Sequence, residues 1–178
     1  YAEDPCVIPE GITCIADEAF VDVVISGTLT FPDSLLYIGN YSFDGGHYNL
    51  SHCDKTLLEL DLNNVVQIGN GSFRYWYCID EVDLSKVTYV GDYAFYWCHD
   101  LHTLKFAPTM EYLGEYVISA SDNVATVYGP EYVERASGYA FMGQSPFSKS
   151  IYGDADGDGM MYYNGILAAV TDIFSNVM

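Results

Sequence analysis

Basic residues are scarce in this chain: 6 Lys+Arg stand against 25 Asp+Glu, a formal net charge of −19. A protein that grips nucleic acid needs a basic face to neutralise phosphates, so the balance argues against that function class. An anionic membrane surface is disfavoured for the same reason. No run of 18 or more apolar residues occurs, so no transmembrane helix is expected. The opening Tyr1-Ala-Glu-Asp-Pro5 lacks the basic start and apolar stretch of a signal peptide, and none is expected in the sequence as it stands. Gly-x-Ser-x-Gly, His-Glu-x-x-His and the P-loop spacing are all missing, so no enzymatic activity is expected. Disorder is also excluded, because 50% of the residues are hydrophobic and only 17% charged. The 178 residues suit one domain, or one domain with a small appendage.

Cysteine is present but sparsely patterned. Cys6, Cys14, Cys53, Cys78 and Cys98 cannot all pair, and no Cys-x-x-Cys marks a zinc ribbon or a redox site. Cys78 and Cys98 read as buried free thiols acting as small hydrophobes. Cys6 and Cys14 are close enough in sequence for a disulfide, with free thiols as the alternative.

What the chain has in abundance is itself. Nine-residue segments recur: Ile12–Phe20, Leu35–Phe43, Val65–Phe73, Val87–Phe95 and Met110–Ile118, with a weaker copy at Val133–Phe141. Each has an aliphatic residue three after its start, and four then have Gly39, Gly69, Gly91 or Gly114. The segments end at positions 20, 43, 73, 95, 118 and 141, in steps of 23, 30, 22, 23 and 23. The period is therefore 23, with one polar insertion after Phe43 that contains His47, His52 and Cys53. The glycines are expected to supply turn conformations closed to other residues.

Behind each Phe runs a second pattern, apolar-x-x-apolar-x-apolar: Leu57, Leu60, Leu62; Ile79, Val82, Leu84; Leu101, Leu104, Phe106. Alternation at period two marks half-buried strands. A 23-residue unit cannot bury its own apolar side, so the units must stack into a solenoid.

Units of the form I-x-x-I-G-x-x-A-F-x-x-C-x-x-L-x-x-L-x-L-P resemble the BspA-like leucine-rich repeats of bacterial and protist surface proteins. Val87–Pro108 matches almost position for position, Cys98 included, and the resemblance covers roughly residues 7 to 147. It implies an α+β leucine-rich repeat solenoid of about 23-residue repeats. Short strands would lie on a concave side, with short helical turns and extended segments opposite. The stretch from Glu131 to Phe147 resembles the terminal cap of such arrays, so Val133–Phe141 is expected to be a capping helix.

Tyr152-Gly-Asp-Ala-Asp-Gly-Asp-Gly159 breaks the repeat and places Asp154, Asp156 and Asp158 at alternate positions around a tight glycine turn. Such carboxylates wrap a hard cation, with the Met160 carbonyl as a further ligand and Tyr162 next in the ligand pattern. With the apolar stretch Ile166–Phe174 behind it, this loop resembles the first half of a dockerin, which implies calcium as cofactor and the cohesin of a cellulosomal scaffoldin as partner. The resemblance puts the recognition surface on Tyr163, Asn164, Leu167, Val170 and Thr171. Gly165 stands where such loops carry an acid giving two oxygens, so a weaker calcium site is expected. The expected organisation is a capped solenoid over residues 1–150 and a partial dockerin-like segment over 151–178.

On the strand faces two outward columns run across the repeats: Thr28, Glu59, Glu81, Thr103, Thr126, and Thr30, Asp61, Asp83, Lys105, Tyr128. Like charges would stack at Glu59–Glu81 and Asp61–Asp83. Glu59, Asp61, Glu81, Asp83 and Lys105 are accordingly the candidate ligand contacts of the concave face, with ordinary solvated positions as the alternative. Tyr75 and Trp97 occupy the same place in successive repeats, where they either pack or stack on a glycan. His47 and His52 beside Cys53 read as a polar loop, with a Cys/His metal site as the alternative. Asn40, Asn49 and Asn70 open glycosylation sequons, two of which fall within the repeat signature itself. The function expected is a secreted, non-catalytic binding module for protein or glycan, joined to a dockerin-like segment. The alternative is a bacterial cell-surface adhesin whose C-terminal segment is only a structural cap.

Overall fold

A computed structural model describes residues 6–23, 25, 29–46, 59–62, 64–130, 132–137 and 139–141, with backbone alone at Glu59 and Tyr132. Among them are twelve short strands and no helix. In chain order they are β1 (Cys6–Val7), β2 (Cys14–Ile15), β3 (Leu29–Thr30), β4 (Tyr37–Ile38), β5 (Glu59–Asp61) and β6 (Gln67–Ile68). The second half has β7 (Glu81–Leu84), β8 (Tyr89–Val90), β9 (Thr103–Phe106), β10 (Thr109–Leu113), β11 (Thr126–Tyr128) and β12 (Tyr132–Ala136).

Each of six coils contributes one strand to each of two sides. The even-numbered strands form one six-stranded sheet, β5, β7, β9 and β11 form a four-stranded sheet, and β1 pairs with β3. Every strand pairing among the described residues is parallel. Strands of two to five residues are too short to stand alone, so the stack supplies their stability. The alternation sends Leu60, Val82, Leu104 and Val127 inward from one side. Ile15, Ile38, Ile68, Val90 and Leu113 meet them from the other.

The third side carries no strands, yet it is hydrogen-bonded from coil to coil. Phe20 N–H donates to Ser42 O at 2.7 Å, Phe43 to Ser72 O at 2.9 Å, Phe73 to Ala94 O at 2.9 Å and Phe95 to Val117 O at 2.8 Å. Asx side chains form a second rail: Asp17 Oδ1, Asn40 Oδ1, Asn70 Oδ1 and Asp92 Oδ1 accept from the amides of Asn40, Asn70, Asp92 and Glu115. These turns are not helical, because the residue two before each Phe position is left-handed. The φ values are 59° at Glu18, 52° at Tyr41, 59° at Gly71, 57° at Tyr93 and 52° at Tyr116. A left-handed residue of this kind interrupts an α-helix. The expectation of α+β with short helical turns is therefore corrected to an all-β solenoid over the described residues.

Two further expectations change. The signature glycines do not supply the left-handed conformation, since none of Gly39, Gly69, Gly91 and Gly114 has a positive φ. They are needed because the preceding coil passes too close. A Cβ on Gly91 would lie 2.5 Å from Asn70 Oδ1 and 2.6 Å from the Asn70 nitrogen. At the left-handed position two before each Phe position, tyrosine stands in three of the five turns, at Tyr41, Tyr93 and Tyr116. The stretch Val133–Phe141 is no capping helix either. Its strand β12 pairs along β10, Met110 opposite Val133 and Leu113 opposite Ala136, which makes it a sixth coil. Ser137 stands at its glycine position. There the turn slips by one residue, with Tyr116 N–H donating to Tyr139 O and Val117 N–H to Ala140 O.

The phenylalanines stack as expected. Phe20–Phe43, Phe43–Phe73 and Phe73–Phe95 have ring centroids 4.9, 5.4 and 5.5 Å apart and near-parallel planes. Phe43, Phe73 and Phe95 are buried, while Phe20 is half-buried because it begins the ladder.

Cysteine is partly corrected. Cys98 is buried and free, as expected. Cys78 is buried but disulfide-bonded, and its partner lies outside the described residues, because Cys6, Cys14 and Cys98 are all free. Cys6 and Cys14 do not pair with each other, since β1 and β2 sit on different sides of the coil.

Candidate functional site

The register of the four-stranded sheet brings the expected columns together. Glu59 pairs with Glu81 and Asp61 with Asp83; Glu81 then faces Thr103 and Asp83 faces Lys105; Thr126 and Tyr128 follow. The inward residue of each strand anchors this spacing, so the outward side chains of neighbouring coils lie about 4.8 Å apart. Thr28 lies outside the described residues, and Thr30 belongs to the separate pair formed by β1 and β3.

The like-charge stack is relieved at one end. Lys105 Nζ donates to Asp83 Oδ2 at 2.8 Å, and the Ser85 amide donates to Asp83 Oδ1 at 2.8 Å. Burial alone would raise the Asp83 carboxyl. The hydrogen bonds from Lys105 and Ser85, with the Lys105 charge, outweigh it and hold the group below its ordinary value. Glu81 is exposed and has no neighbouring cation among its register partners. The face is thus polar and regular. Its acids gather on β5 and β7, with threonines, Lys105 and an exposed Tyr128 on β9 and β11.

Just before these strands lies a pair that the repeat pattern hid. His102 Nδ1 sits 2.6 Å from Asp80 Oδ1, and both side chains are about half exposed. The signal was their 22-residue separation, which places both immediately ahead of a strand in successive coils. The six-stranded sheet carries a second unread column: Cys14, Tyr37, Gln67, Tyr89, Tyr112 and Arg135 in register. Tyr89 and Tyr112 stack with centroids 4.7 Å apart, and the Arg135 guanidinium lies 5.6 Å from the Tyr112 ring.

The aromatic clusters pack rather than present a platform. Tyr75 is buried and its ring is tilted against Trp97 at 5.7 Å. The Arg74 guanidinium lies 5.1 Å from both Tyr41 and Tyr75, and it grips the buried Asp44 through Nη2–Oδ2 at 2.5 Å and Nε–Oδ1 at 3.3 Å. A further rail joins the coils three residues after each Phe position. Trp76 Nε1 donates to Phe43 O, Cys98 Sγ to Phe73 O at 3.2 Å and Ser121 Oγ to Phe95 O at 2.8 Å. Three unlike side chains thus do one job, donating a hydrogen to a buried carbonyl of the preceding coil. Desolvation pushes the Cys98 thiol up to about 12, which makes it a donor and a poor nucleophile.

The calcium-loop residues Asp154, Asp156, Asp158, Met160 and Tyr162 lie outside the described residues, as do Tyr163, Asn164, Leu167, Val170 and Thr171 and the insertion residues His47, His52 and Cys53. Among the described residues no group of three or more His, Cys, Asp or Glu could hold a metal ion. No described helix is long and apolar enough to cross a membrane.

A family model described as BspA type leucine-rich repeat region matches in six copies, over residues 4–55 and 46–148. No curated protein and no solved structure matches the chain.

Proposed function

The chain belongs to the BspA-type leucine-rich repeat family, and from that premise we propose that it is a secreted, non-catalytic recognition module. Its outward four-stranded face would bind another extracellular protein. Repeats of this kind generally mediate protein–protein interaction. The observation that carries the choice of face is the in-register pair of polar columns, open to solvent at Glu81, Lys105 and Tyr128. A rigid stack holds these side chains at fixed spacing, so little conformational entropy is lost on binding. The glycan reading of the aromatic clusters on the turn side loses its support, because Tyr75 is buried there and offers no ring face to a sugar. The disulfide at Cys78 suits an oxidising compartment, in line with a family of surface and secreted proteins.

The test is a screen of the intact chain against an array of secreted and surface proteins, followed by Glu81→Lys and, on the opposite sheet, Glu111→Lys. Loss of the captured partner with the first variant alone is expected. Equal loss with both, or with neither, moves the site off this face.

The dockerin-like reading of residues 151–178 is supported by the sequence alone. Three alternating carboxylates and the Met160 carbonyl fit a hard cation, while Gly165 supplies no side-chain oxygen. Calcium would order the loop and present Tyr163, Asn164, Leu167, Val170 and Thr171 to a cohesin. Calorimetric titration of calcium into the chain and into Asp154→Ala tests this. Absence of calcium heat, with a melting temperature unmoved by chelator, leaves the adhesin reading with a structural C-terminal cap.

A further inference from the structure

We infer that Tyr89 and Tyr112, on the outward face of the six-stranded sheet, form a site of oxidative tyrosine coupling, where a haem peroxidase with hydrogen peroxide joins two adjacent coils through a carbon–carbon bond between the phenol rings. The register sets the two residues opposite each other on β8 and β10. Their ring centroids lie 4.7 Å apart, with planes 21° from parallel. Neighbouring strands are spaced by about 4.8 Å, so the rings stand face to face, one coil above the other. Both are half-buried, so a part of each ring meets solvent. Coupling then asks for a tilt of the rings and no movement of the coils. The other stacked tyrosines are wider, 5.3 Å for Tyr93–Tyr116 and 5.7 Å for Tyr116–Tyr139.

The pair also has an acceptor for a proton. The Tyr112 hydroxyl donates to Asp92 Oδ1 at 3.2 Å. Burial, with the Asp92 charge and that hydrogen bond, raises the phenol above its ordinary value, so Tyr112 meets an oxidant protonated. The Arg135 guanidinium lies 5.6 Å from the same ring. A cation there opposes a ring that gives up an electron and keeps its proton, because the ring would become positive beside it. Electron and proton therefore leave together, the electron to the peroxidase and the proton to Asp92, and a neutral phenoxyl radical remains. A second oxidation takes one electron and one proton from Tyr89. The two radicals form one Cε–Cε bond, and the hydrogens on those carbons shift to the oxygens and restore both hydroxyls. Hydrogen peroxide takes up the two electrons and two protons and becomes two waters. Partners held one strand apart need no encounter, so coupling within a chain outpaces coupling between chains. The disulfide at Cys78 suits the same oxidising surroundings.

The test uses the whole chain, first treated with iodoacetamide, because the exposed Cys14 thiol and the half-buried Cys6 thiol would consume oxidant. A haem peroxidase and hydrogen peroxide are then added. Coupling is read by dityrosine fluorescence and by a monomer mass that has lost two hydrogen atoms. Tyr89→Phe and Tyr112→Phe keep the stacked rings but remove the hydroxyl the radical needs. Each is expected to cut the fluorescence at least about tenfold, whereas Tyr93→Phe leaves it within about twofold. Asp92→Asn still offers an oxygen to the Glu115 amide, as Asn40 and Asn70 offer theirs on the same rail, but it is no base. It is expected to slow the coupling about tenfold. Coupling that survives Tyr89→Phe overturns the proposal, as does dityrosine found only in linked dimers. So does a chain that yields none while free tyrosine in the same mixture couples. A native rate in Asp92→Asn overturns the path assigned to the proton.

Discussion

Gly91→Ala tests the reason for the signature glycine. If backbone conformation were the only demand on this residue, alanine would be harmless here, because φ at Gly91 is not positive. If the close approach of the preceding coil is the reason, the new Cβ meets Asn70 Oδ1 at 2.5 Å, Asn70 N at 2.6 Å and Gly69 C at 2.6 Å. Two of these are backbone atoms that cannot swing away, and the third accepts the Asp92 amide at 2.9 Å. Overpacking of this kind costs about 1–3 kcal/mol, and weakening the Asn70–Asp92 bond adds about 1 kcal/mol. The loss of unfolded-state freedom returns about 0.4–1 kcal/mol. The net destabilisation is then about 1–3.6 kcal/mol, or roughly 2–14 °C in melting temperature for a domain of this size. Gly71→Ala is the control. Its φ of 59° matches that of Tyr41, Tyr93 and Tyr116, and its Cβ would meet a movable Tyr41 ring rather than backbone. Urea unfolding followed by the fluorescence of Trp76, in the preceding coil, and Trp97, in the Gly91 coil itself, measures both. A change within about 0.5 kcal/mol for Gly91→Ala, or a larger loss for Gly71→Ala, would refute the close-approach argument.

Phe73→Ala removes a buried ring held between Phe43 and Phe95 and against Trp76, and a loss of about 3–5 kcal/mol is expected in the same urea assay. Cys98→Ser keeps a donor for the Phe73 carbonyl and should change stability little, whereas Cys98→Ala leaves that buried carbonyl unpaired, at a cost of about 1–3 kcal/mol beyond the cavity. The Cys98 thiol stays protonated in the folded chain until about 12, against an ordinary 9.0. The folded state therefore holds the extra proton between those values, and stability falls as pH rises through that window. Melting temperatures across it should fall less steeply for Cys98→Ser than for the native chain. Arg74→Met strands the buried Asp44 carboxylate without its bidentate partner. A loss of about 3 kcal/mol is expected, read in the same urea assay.

The sequence alone determined the repeat, its 23-residue period and the inward ladder, because a period is a one-dimensional property and the solenoid converts it directly into stacking. The columns through Glu81 and Asp83 were legible for the same reason: residues one period apart must become neighbours, and Thr103 and Lys105 duly pair with them. What the sequence did not carry is how closely two coils approach and what one segment does to the next. The signature glycine looked conformational until the Asx rail was seen lying against it, and the Val133–Phe141 stretch looked like a cap until β12 was found paired along β10. The use of Trp76, Cys98 and Ser121 as interchangeable donors depends on a carbonyl of the previous coil. These are relations between surfaces in three dimensions. Local propensity is blind to them, and only tertiary packing, with its fixed distances and its demand that every buried polar group find a partner, decides them.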